Sequence, residues 1–201
     1  MTVAATAQRD ALARCLDAGG IALFGADTVY GLCCDPANAA AVDRLFELKG
    51  RPRRKPAALA FFNLDAALAA LPELGPRTRE AFRALLPGPL TLLVANDAGR
   101  FPLAGGDLLG VRVIDVGIEL AAPVLQSSAN LSGGPDPRTL GEVAGSIRAG
   151  VDLELDRGEL PGTPSTVLDM SAFEAAGAYR VVREGACTRE AITRALVGSR
   201  P

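Results

Sequence analysis

Helical periodicity and capping residues predict the main helices of this chain. Asn38 precedes a clear apolar stripe that ends at Gly50, and Asn63 precedes a second stripe that ends near Leu71. Asn and Gly are typical of helix starts and ends, because the Asn side chain accepts a backbone N–H and Gly adopts the left-handed conformation easily. The same pattern predicts further helices over 5–18, from Pro76 to the Pro87-Gly88-Pro89 stop, near 117–122, over 139–149, and from Thr188 to about Val197.

Short apolar runs between these helices predict β-strands. They cover 21–24, 57–62, 90–96, 108–115, 123–126, 151–156, 166–170 and 179–183. Some of these strands alternate with helices and others follow one another directly. This order favours a three-layer α/β domain with a mixed sheet flanked by helices over a purely parallel sheet. We therefore predict a single domain over 1–197 and a loose tail over 198–201.

The composition is that of a protein with a full hydrophobic core. The chain has 201 residues, 49% of them hydrophobic, and a net charge of only −2. No apolar run approaches the roughly 20 residues of a membrane-spanning helix, and the N-terminal segment lacks the apolar core of a secretion signal. Four cysteines without a C-x-x-C pair indicate reduced thiols. These features predict a cytoplasmic protein that does not bind membranes.

The absence of histidine is the most informative feature of the composition. The sequence contains no His, which excludes Ser-His-Asp and Cys-His catalysis, histidine general bases and histidine-bound zinc. Any chemistry must therefore use hydroxyls, amides, cationic side chains, carboxylates, or a hard metal ion that arrives with a substrate.

Positive charge is concentrated in the segment "KGRPRRK", residues 49–55, and Pro52 and Pro56 stiffen it. Its cationic residues are Lys49, Arg51, Arg53, Arg54 and Lys55. Arg offers phosphate a two-pronged fork and Lys offers a mobile point charge, so the segment is typical of a phosphate-binding loop. It is equally typical of a solvated basic loop. The residues alone leave both interpretations open.

The segment "SSANLSGG", residues 127–134, places polar side chains just past a predicted strand. Ser128, Asn130 and Ser132 alternate there with other residues. Ligands of open α/β sheets bind beyond the carboxyl ends of the strands, and hydroxyl, amide and backbone N–H groups form good anion cradles. The alternative is an ordinary turn rich in Ser and Asn.

Three other motifs hold polar side chains that a plain turn or strand does not need. "GADTVYGL" carries Thr28 and Tyr30 between two glycines, which suits contact with a small ligand. "GVRV" puts Arg112 inside an apolar strand, where a cation needs either a ligand anion or an internal salt bridge. "TPSTVLDM" opens a strand with Ser165 and Thr166, which is a weaker signal.

Seven motifs occur in the order and spacing of one known family. They are "GADTVYGL", "LFELKGRPRRKP", "PGPLTLLV", "GVRV", "SSANLSG", "PSTVLDM" and "VVREGA". Over about residues 18–191 the chain resembles the YrdC-like L-threonylcarbamoyladenylate synthases. The resemblance implies a mixed, twisted sheet with a concave, positively charged face. It also implies synthesis of threonylcarbamoyl-AMP and pyrophosphate from L-threonine, bicarbonate and ATP, with the product passing to a transferase complex that modifies tRNA.

The resemblance also implies a role for each motif residue. Around the ATP phosphates and the reacting carbamate it implies the catalytic residues Lys49, Arg51, Ser128 and Asn130. For threonine it implies contacts from Thr28, Tyr30, Arg112, Ser128 and Ser165. For ATP it implies contacts from Arg51, Lys55, Asn130 and Arg183. Mg²⁺ is expected to arrive with ATP, and no protein-bound metal is expected.

Three departures from the family pattern keep other functions open. Gly25-Ala26 replaces the usual Pro-Thr, Val113-Ile114 replaces Val-Pro, and Ala60 stands where relatives often have His. The alternatives are a protein that binds double-stranded RNA or tRNA, an enzyme that makes another carbamoyl-adenylate, and a paralogue that binds nucleotide without turnover. The basic segment favours RNA binding, although the sequence has no Trp on which bases could stack.

Overall fold

The structure is a computed structural model that describes residues 3–52 and 57–198. Within these residues a short 3₁₀ helix spans Leu140–Glu142, and the α-helices are α1 (Val3–Asp17), α2 (Ala39–Leu48), α3 (Leu64–Ala70), α4 (Pro76–Leu85), α5 (Gly145–Arg148), α6 (Phe173–Ala176) and α7 (Arg189–Gly198).

The described residues form one mixed sheet of nine strands. The strands are β1 (Ala22–Gly25), β2 (Tyr30–Cys34), β3 (Ala58–Phe61), β4 (Leu90–Ala95), β5 (Leu108–Val113), β6 (Val124–Ser128), β7 (Leu153–Leu155), β8 (Thr166–Asp169) and β9 (Arg180–Arg183). They lie in the order β7-β1-β2-β6-β3-β5-β4-β8-β9. The pairs β1/β7, β3/β5 and β4/β8 are parallel and the other pairs are antiparallel. This arrangement confirms the predicted α/β fold with a mixed sheet.

The predicted capping residues start the helices as expected. Asn38 Oδ1 accepts from the backbone N–H of Ala41 at 3.1 Å, at the start of α2. Asn63 Oδ1 accepts from the backbone N–H of Asp65 at 2.7 Å, at the start of α3. Each bond satisfies an N–H group that has no partner within its own helix.

Several other predicted elements are wrong. Segment 117–122 contains no helix, and segment 139–149 holds only the 3₁₀ turn and α5. Gly117 has a φ of 66°, which no α-helix accommodates. In 139–149 the extended ψ angles of Val143 and Ala144, 128° and 135°, separate the 3₁₀ turn from α5. The pattern also misses β2, because all five of its residues are buried and no alternation marks it. Gly198 belongs to α7 rather than to a loose tail, and 199–201 lie outside the described residues.

Strand alternation divides the apolar residues into two clusters, one on each face of the sheet. On β1, Leu23 packs in the larger cluster, whereas Ala22 and Phe24 pack in the smaller one. The larger cluster lies beneath the helices α2–α7. The smaller one includes Leu12 of α1 and the apolar residues of segment 114–118. Helices therefore cover both faces, but unequally.

The smaller cluster covers only part of its face of the sheet. Ala60 and Val124 lie in it, whereas Ala58 and Gln126 line an open cavity. Ala58 lies two positions from Ala60 on β3, and Gln126 lies two positions from Val124 on β6. All four side chains therefore point to the same side of the sheet. One face is thus closed at one end by apolar residues and open at the other, where a ligand can reach the strands.

Candidate active site

A cavity of about 260 Å³ opens on the uncovered part of this sheet face. Six of the residues singled out in the sequence line it together: Thr28, Arg51, Arg112, Ser128, Ser165 and Arg183. Ala58 and Gly110, which are paired in register on β3 and β5, leave the space open, because alanine has a small side chain and glycine has none. Motifs from distant parts of the chain therefore converge on one cavity.

Arg112 is the buried cation of this cavity, with 5% of its surface exposed. Its Nη2 atom donates to Asp27 Oδ1 at 2.6 Å, and its Nη1 atom donates to Gln126 Oε1 at 3.0 Å. Within the described residues its Nε atom is buried without a partner. Burial lowers the pKa of Arg112 and the Asp27 carboxylate opposes this effect. The internal salt bridge that the sequence allowed therefore forms, and one N–H donor remains without an acceptor.

Thr28 joins the loop after β1 to the cavity. Its hydroxyl accepts from Arg112 Nη2 at 3.4 Å, and its backbone carbonyl accepts from the N–H of Gly162 at 2.9 Å. Only 2% of Thr28 is exposed. The hydroxyl is therefore held beside the guanidinium in a setting with little access to bulk water.

Ser165 and Arg183 form another wall of the cavity. Ser165 Oγ lies 2.8 Å from Thr91 Oγ1 on β4, and Arg183 Nη2 donates to the Ser165 carbonyl at 2.7 Å. Ser165 is buried, whereas Arg183 lies on the edge strand β9 and is exposed. The wall thus runs from a buried hydroxyl to a guanidinium in contact with solvent.

Lys49 lies behind the cavity wall rather than in it. It caps the C-terminal end of α2 and is 1% exposed. Its Nζ atom donates to Asn130 Oδ1 at 3.0 Å, to Asn130 O at 2.8 Å, and to Ser128 O. Burial first and Arg51 second lower the pKa of Lys49 to about 8, while Asp136 opposes the shift. The Lys49 ammonium therefore supports the backbone of the "SSAN" loop and does not itself reach into the cavity.

Asn130 shares this supporting position. Its Oδ1 accepts from Ser128 Oγ at 2.6 Å, and its Nδ2 donates to the Gly134 carbonyl at 2.6 Å. Among Lys49, Ser128 and Asn130, Ser128 lines the cavity. The three residues come together as expected, but they form a support with one hydroxyl facing the ligand space.

Arg51 is a half-buried cation in the cavity wall. Burial, and then the positive charge of Arg183, lower the pKa of the Arg51 guanidinium, which shows that the two cations are close enough to repel each other. Among the described lining residues, three are arginines, Arg51, Arg112 and Arg183, and one is acidic, Asp136. The cavity therefore favours an anionic ligand.

The structure corrects the expectation for Tyr30. Its ring is fully buried in the larger cluster, and its hydroxyl donates to Asp156 Oδ1 at 2.7 Å and accepts from the N–H of Arg157 at 2.9 Å. Side chains alternate along β2, so Tyr30 faces the larger cluster while Gly31 faces the other side of the sheet. Tyr30 thus fixes the loop after β7 instead of lining the ligand space. Lys55 lies outside the described residues.

Sequence reasoning assigns no role to several polar residues of the site, among them Asp27, Thr91, Gln126 and Asp136. Thr91 lines the cavity from the apolar strand β4, and Gln126 lines it from β6, where two serines follow it. A polar residue in an apolar strand is the signal that identified Arg112, and it would have identified Thr91. Asp136 stands between two prolines in a loop and has no such signal.

Residues 3–52 and 57–198 contain no group of three or more His, Cys, Asp and Glu side chains that could hold a metal ion. They also contain no helix with the length and apolar character needed to cross a membrane. In the cavity, Asp136 is the carboxylate that a hard cation would meet.

The chain is similar to known proteins in both sequence and fold. The family model for Sua5, YciO and YrdC proteins, described as telomere recombination, matches residues 14–185. The chain belongs to the Sua5/YciO/YrdC family. Its fold agrees: the structure of Escherichia coli YciO, at 20% identity, superposes with a TM-score of 0.77 over 92% of this chain and 93% of that one.

Members of the Sua5/YciO/YrdC family with assigned names align over most of the chain. The threonylcarbamoyl-AMP synthase of Xanthomonas campestris is 34% identical over 167 residues, which are 78% of this chain and 89% of that protein. That of Hahella chejuensis is 30% identical, over 77% of this chain and 89% of that protein. Pyrococcus abyssi Sua5, in a structure complexed with L-threonine, is 28% identical with a TM-score of 0.79 over 92% of this chain. This chain spans 56% of that longer protein.

Proposed function

We propose that this protein is a threonylcarbamoyl-AMP synthase, which converts L-threonine, bicarbonate and ATP into threonylcarbamoyl-AMP and pyrophosphate. The convergence of Thr28, Arg112 and Ser165 with Arg51 and Arg183 on one cavity carries the proposal. Two relatives at 30% and 34% identity bear this enzyme name. In the proposal, the product passes to a transferase that modifies tRNA.

The cavity suits a small amino acid. Its volume of about 260 Å³ lies just below the range of about 300–1,000 Å³ that is typical of pockets for drug-sized ligands. Threonine can therefore fill it, with its carboxylate near Arg112 and its polar groups near Thr28 and Ser165. The nucleotide must then extend out of the cavity, past Arg51 and Arg183, which are its more exposed cations.

The reaction needs no histidine. Bicarbonate loses hydroxide to give carbon dioxide, and the neutral amine of threonine attacks the carbon dioxide to form a carbamate. The proton that the amine releases combines with the hydroxide to give water. A carbamate oxygen then attacks the α-phosphorus of ATP, and the bond from that phosphorus to the pyrophosphate oxygen breaks. Magnesium takes part as a component of the Mg·ATP substrate. The protein has to align the two reactants, offset negative charge and keep water from the mixed anhydride.

In the proposal, different residues of the site carry out these tasks. Arg51 and Arg183 offset the charge that develops on the phosphates. Ser128 orients the carbamate, and Lys49 and Asn130 hold Ser128 in place through the bonds described above. Lys55 remains a predicted contact of ATP.

The test is pyrophosphate release with Mg·ATP, ¹³C-labelled bicarbonate and each amino acid in turn. We expect release that depends on threonine, together with an adenylate whose mass includes the labelled carbon. A preparation that is folded and yet shows no threonine-dependent release would overturn the proposal. A thermal-shift experiment addresses the alternative: stabilisation by RNA alone, with a steep salt dependence, would favour an RNA-binding protein instead.

A further inference from the structure

We infer that Gln126 is a positioning residue for the amino-acid substrate, because it fixes the guanidinium that receives the substrate carboxylate. The inference rests on the proposed function. Gln126 lies in β6 with 3% of its surface exposed, and it lines the cavity. A buried amide needs a hydrogen-bond partner to offset its loss of water, and this one has Arg112.

Gln126 and Asp27 hold Arg112 from its two terminal nitrogens. Gln126 Oε1 accepts from Nη1 at 3.0 Å, and Asp27 Oδ1 accepts from Nη2 at 2.6 Å. A planar guanidinium that is bound at both Nη atoms cannot turn about its long axis without breaking one of the bonds. Removal of the Gln126 acceptor would leave Arg112 attached to Asp27 and Thr28 on one side only, so it would no longer hold one orientation toward a ligand.

Gly31 provides the space that Gln126 occupies. Gly31 pairs with Ser128 across β2 and β6, and a Cβ atom at Gly31 would collide with Gln126 Nε2. Gly31 does not have a positive φ, so glycine is needed here for space and not for its backbone conformation. The second glycine of "GADTVYGL" therefore serves the amide that holds Arg112.

The neutral charge of Gln126 matters as much as its shape. Asp27 already supplies one carboxylate to Arg112. A second carboxylate at position 126 would accept the same hydrogen bond, but it would give the three side chains a net negative charge. That charge would repel the carboxylate of an amino acid bound beside buried Arg112. The glutamine amide holds the guanidinium and leaves its charge available.

The experiment measures threonine binding by calorimetry and, separately, pyrophosphate release by steady-state kinetics. We expect Gln126→Met, which keeps the length of the side chain but lacks the acceptor, to raise both the Kd and the KM for threonine at least about tenfold, since the lost bond involves a charged group. The KM for ATP should stay the same. Gln126→Glu should raise the threonine values further. Gln8→Met makes the same change on α1, away from the cavity, and should alter neither value.

A second pair of variants separates positioning from folding. Gly31→Ala should weaken threonine binding in the presence of Gln126, but should add much less loss to Gln126→Ala, because only the 3.2 Å approach to the Ser127 carbonyl oxygen then remains. The inference would be overturned if Gln126→Met left the Kd and KM for threonine unchanged, or if it weakened the binding of ATP and threonine equally. It would also be overturned if the losses of Gly31→Ala and Gln126→Ala were additive, or if the wild type did not bind threonine. Threonine binding that depends on Gln126 without pyrophosphate release would refute the proposed function and leave the inference standing.

Discussion

Lys49 Nζ donates to Asn130 Oδ1 over 3.0 Å, although 81 positions separate the two residues in the sequence. The bond ties the end of α2 to the loop after β6 and supports Ser128 from behind. Burial of an ammonium group in this place makes its charged form less favourable, since the group loses water. The consequences can be measured in the titration of Lys49 and in the stability of the protein.

The titration of Lys49 can be followed directly, because Lys49 and Lys55 are the only lysines in the sequence. We expect a protein labelled with ¹³C at the lysine ε-carbon to give one NMR signal that titrates near pH 8, since the pKa of Lys49 is lowered to about 8. The Lys49→Met variant should lack this signal. Two signals that both titrate near the ordinary value of 10.5 would contradict the burial of the ammonium.

The same shift predicts how stability depends on pH. Between about 8 and 10.5 the unfolded chain holds a proton at Lys49 that the native state has lost. The contribution of Lys49 to the free energy of unfolding therefore rises with pH across this window and is least favourable below it. Urea unfolding at pH 8 and pH 10 should show the wild type gaining stability relative to Lys49→Met. A difference that does not change with pH would argue against the prediction.

Arg51→Ala should abolish most pyrophosphate release while the protein stays folded. The half-buried guanidinium is proposed to offset charge on the phosphates, and loss of one such donor typically lowers kcat about 10²–10³-fold. Arg180→Ala is a matched control, since its side chain is 75% exposed and pairs with Asp169 outside the cavity. Circular dichroism should show both variants folded. Near-normal turnover by Arg51→Ala would remove Arg51 from the catalytic set.

Asp27→Asn should destabilise the protein by about 3 kcal/mol, because it leaves the Arg112 charge buried without its counter-ion. Asp27 is the carboxylate within 2.6 Å of Arg112 Nη2. Asp115→Asn is the control: Asp115 lines a neighbouring cavity with Asp27 but is exposed. Urea unfolding of both variants gives the comparison, and equal stabilities would mean that the ion pair contributes little.

Tyr30→Phe should lower stability without affecting threonine. The change removes the hydroxyl that bonds to exposed Asp156 and half-buried Arg157, and the loss of these bonds should cost about 0.5–1.5 kcal/mol. The KM for threonine should stay within twofold of the wild type, because the ring lies in the larger cluster. Tyr179→Phe provides the control with the other tyrosine, whose hydroxyl lies 3.1 Å from Thr193 Oγ1. A large rise in the threonine KM for Tyr30→Phe alone would restore a binding role.

Local signals predicted those parts of the fold that local forces determine. Asn38 and Asn63 start helices because each side chain satisfies a nearby N–H group, so a short stretch of sequence is enough to locate them. β2 escaped prediction because it is buried on both faces and its pattern depends on the neighbouring strands β1 and β6. The broken helix over 139–149 shows the opposite case, in which a plausible apolar pattern is interrupted by the extended backbone of Val143 and Ala144.

The sequence identifies residues of the site, but it does not predict what each of them does there. The motifs located Arg112, Ser128 and Ser165, and the cavity brings these three together. The inward orientation of Lys49 and the alternation that turns Tyr30 into the core depend on tertiary packing. Gln126 carries no comparable signal, because Ser127 and Ser128 follow it in the same strand. Its importance emerges only once β3 and β5 are known to bring Arg112 beside it.

The place of the cavity in the sheet sets how firmly each wall is held. Arg112 projects from β5, next to the central strand β3, whereas Arg183 projects from β9 at the edge. Amide hydrogens of central strands exchange with solvent slowly, while edge strands open through local fluctuations. Amino-acid binding therefore meets a wall that is already rigid, and ATP should slow deuterium uptake chiefly along β9. ATP would thus order part of the protein when it binds, whereas the amino acid would bind to a wall that is already ordered.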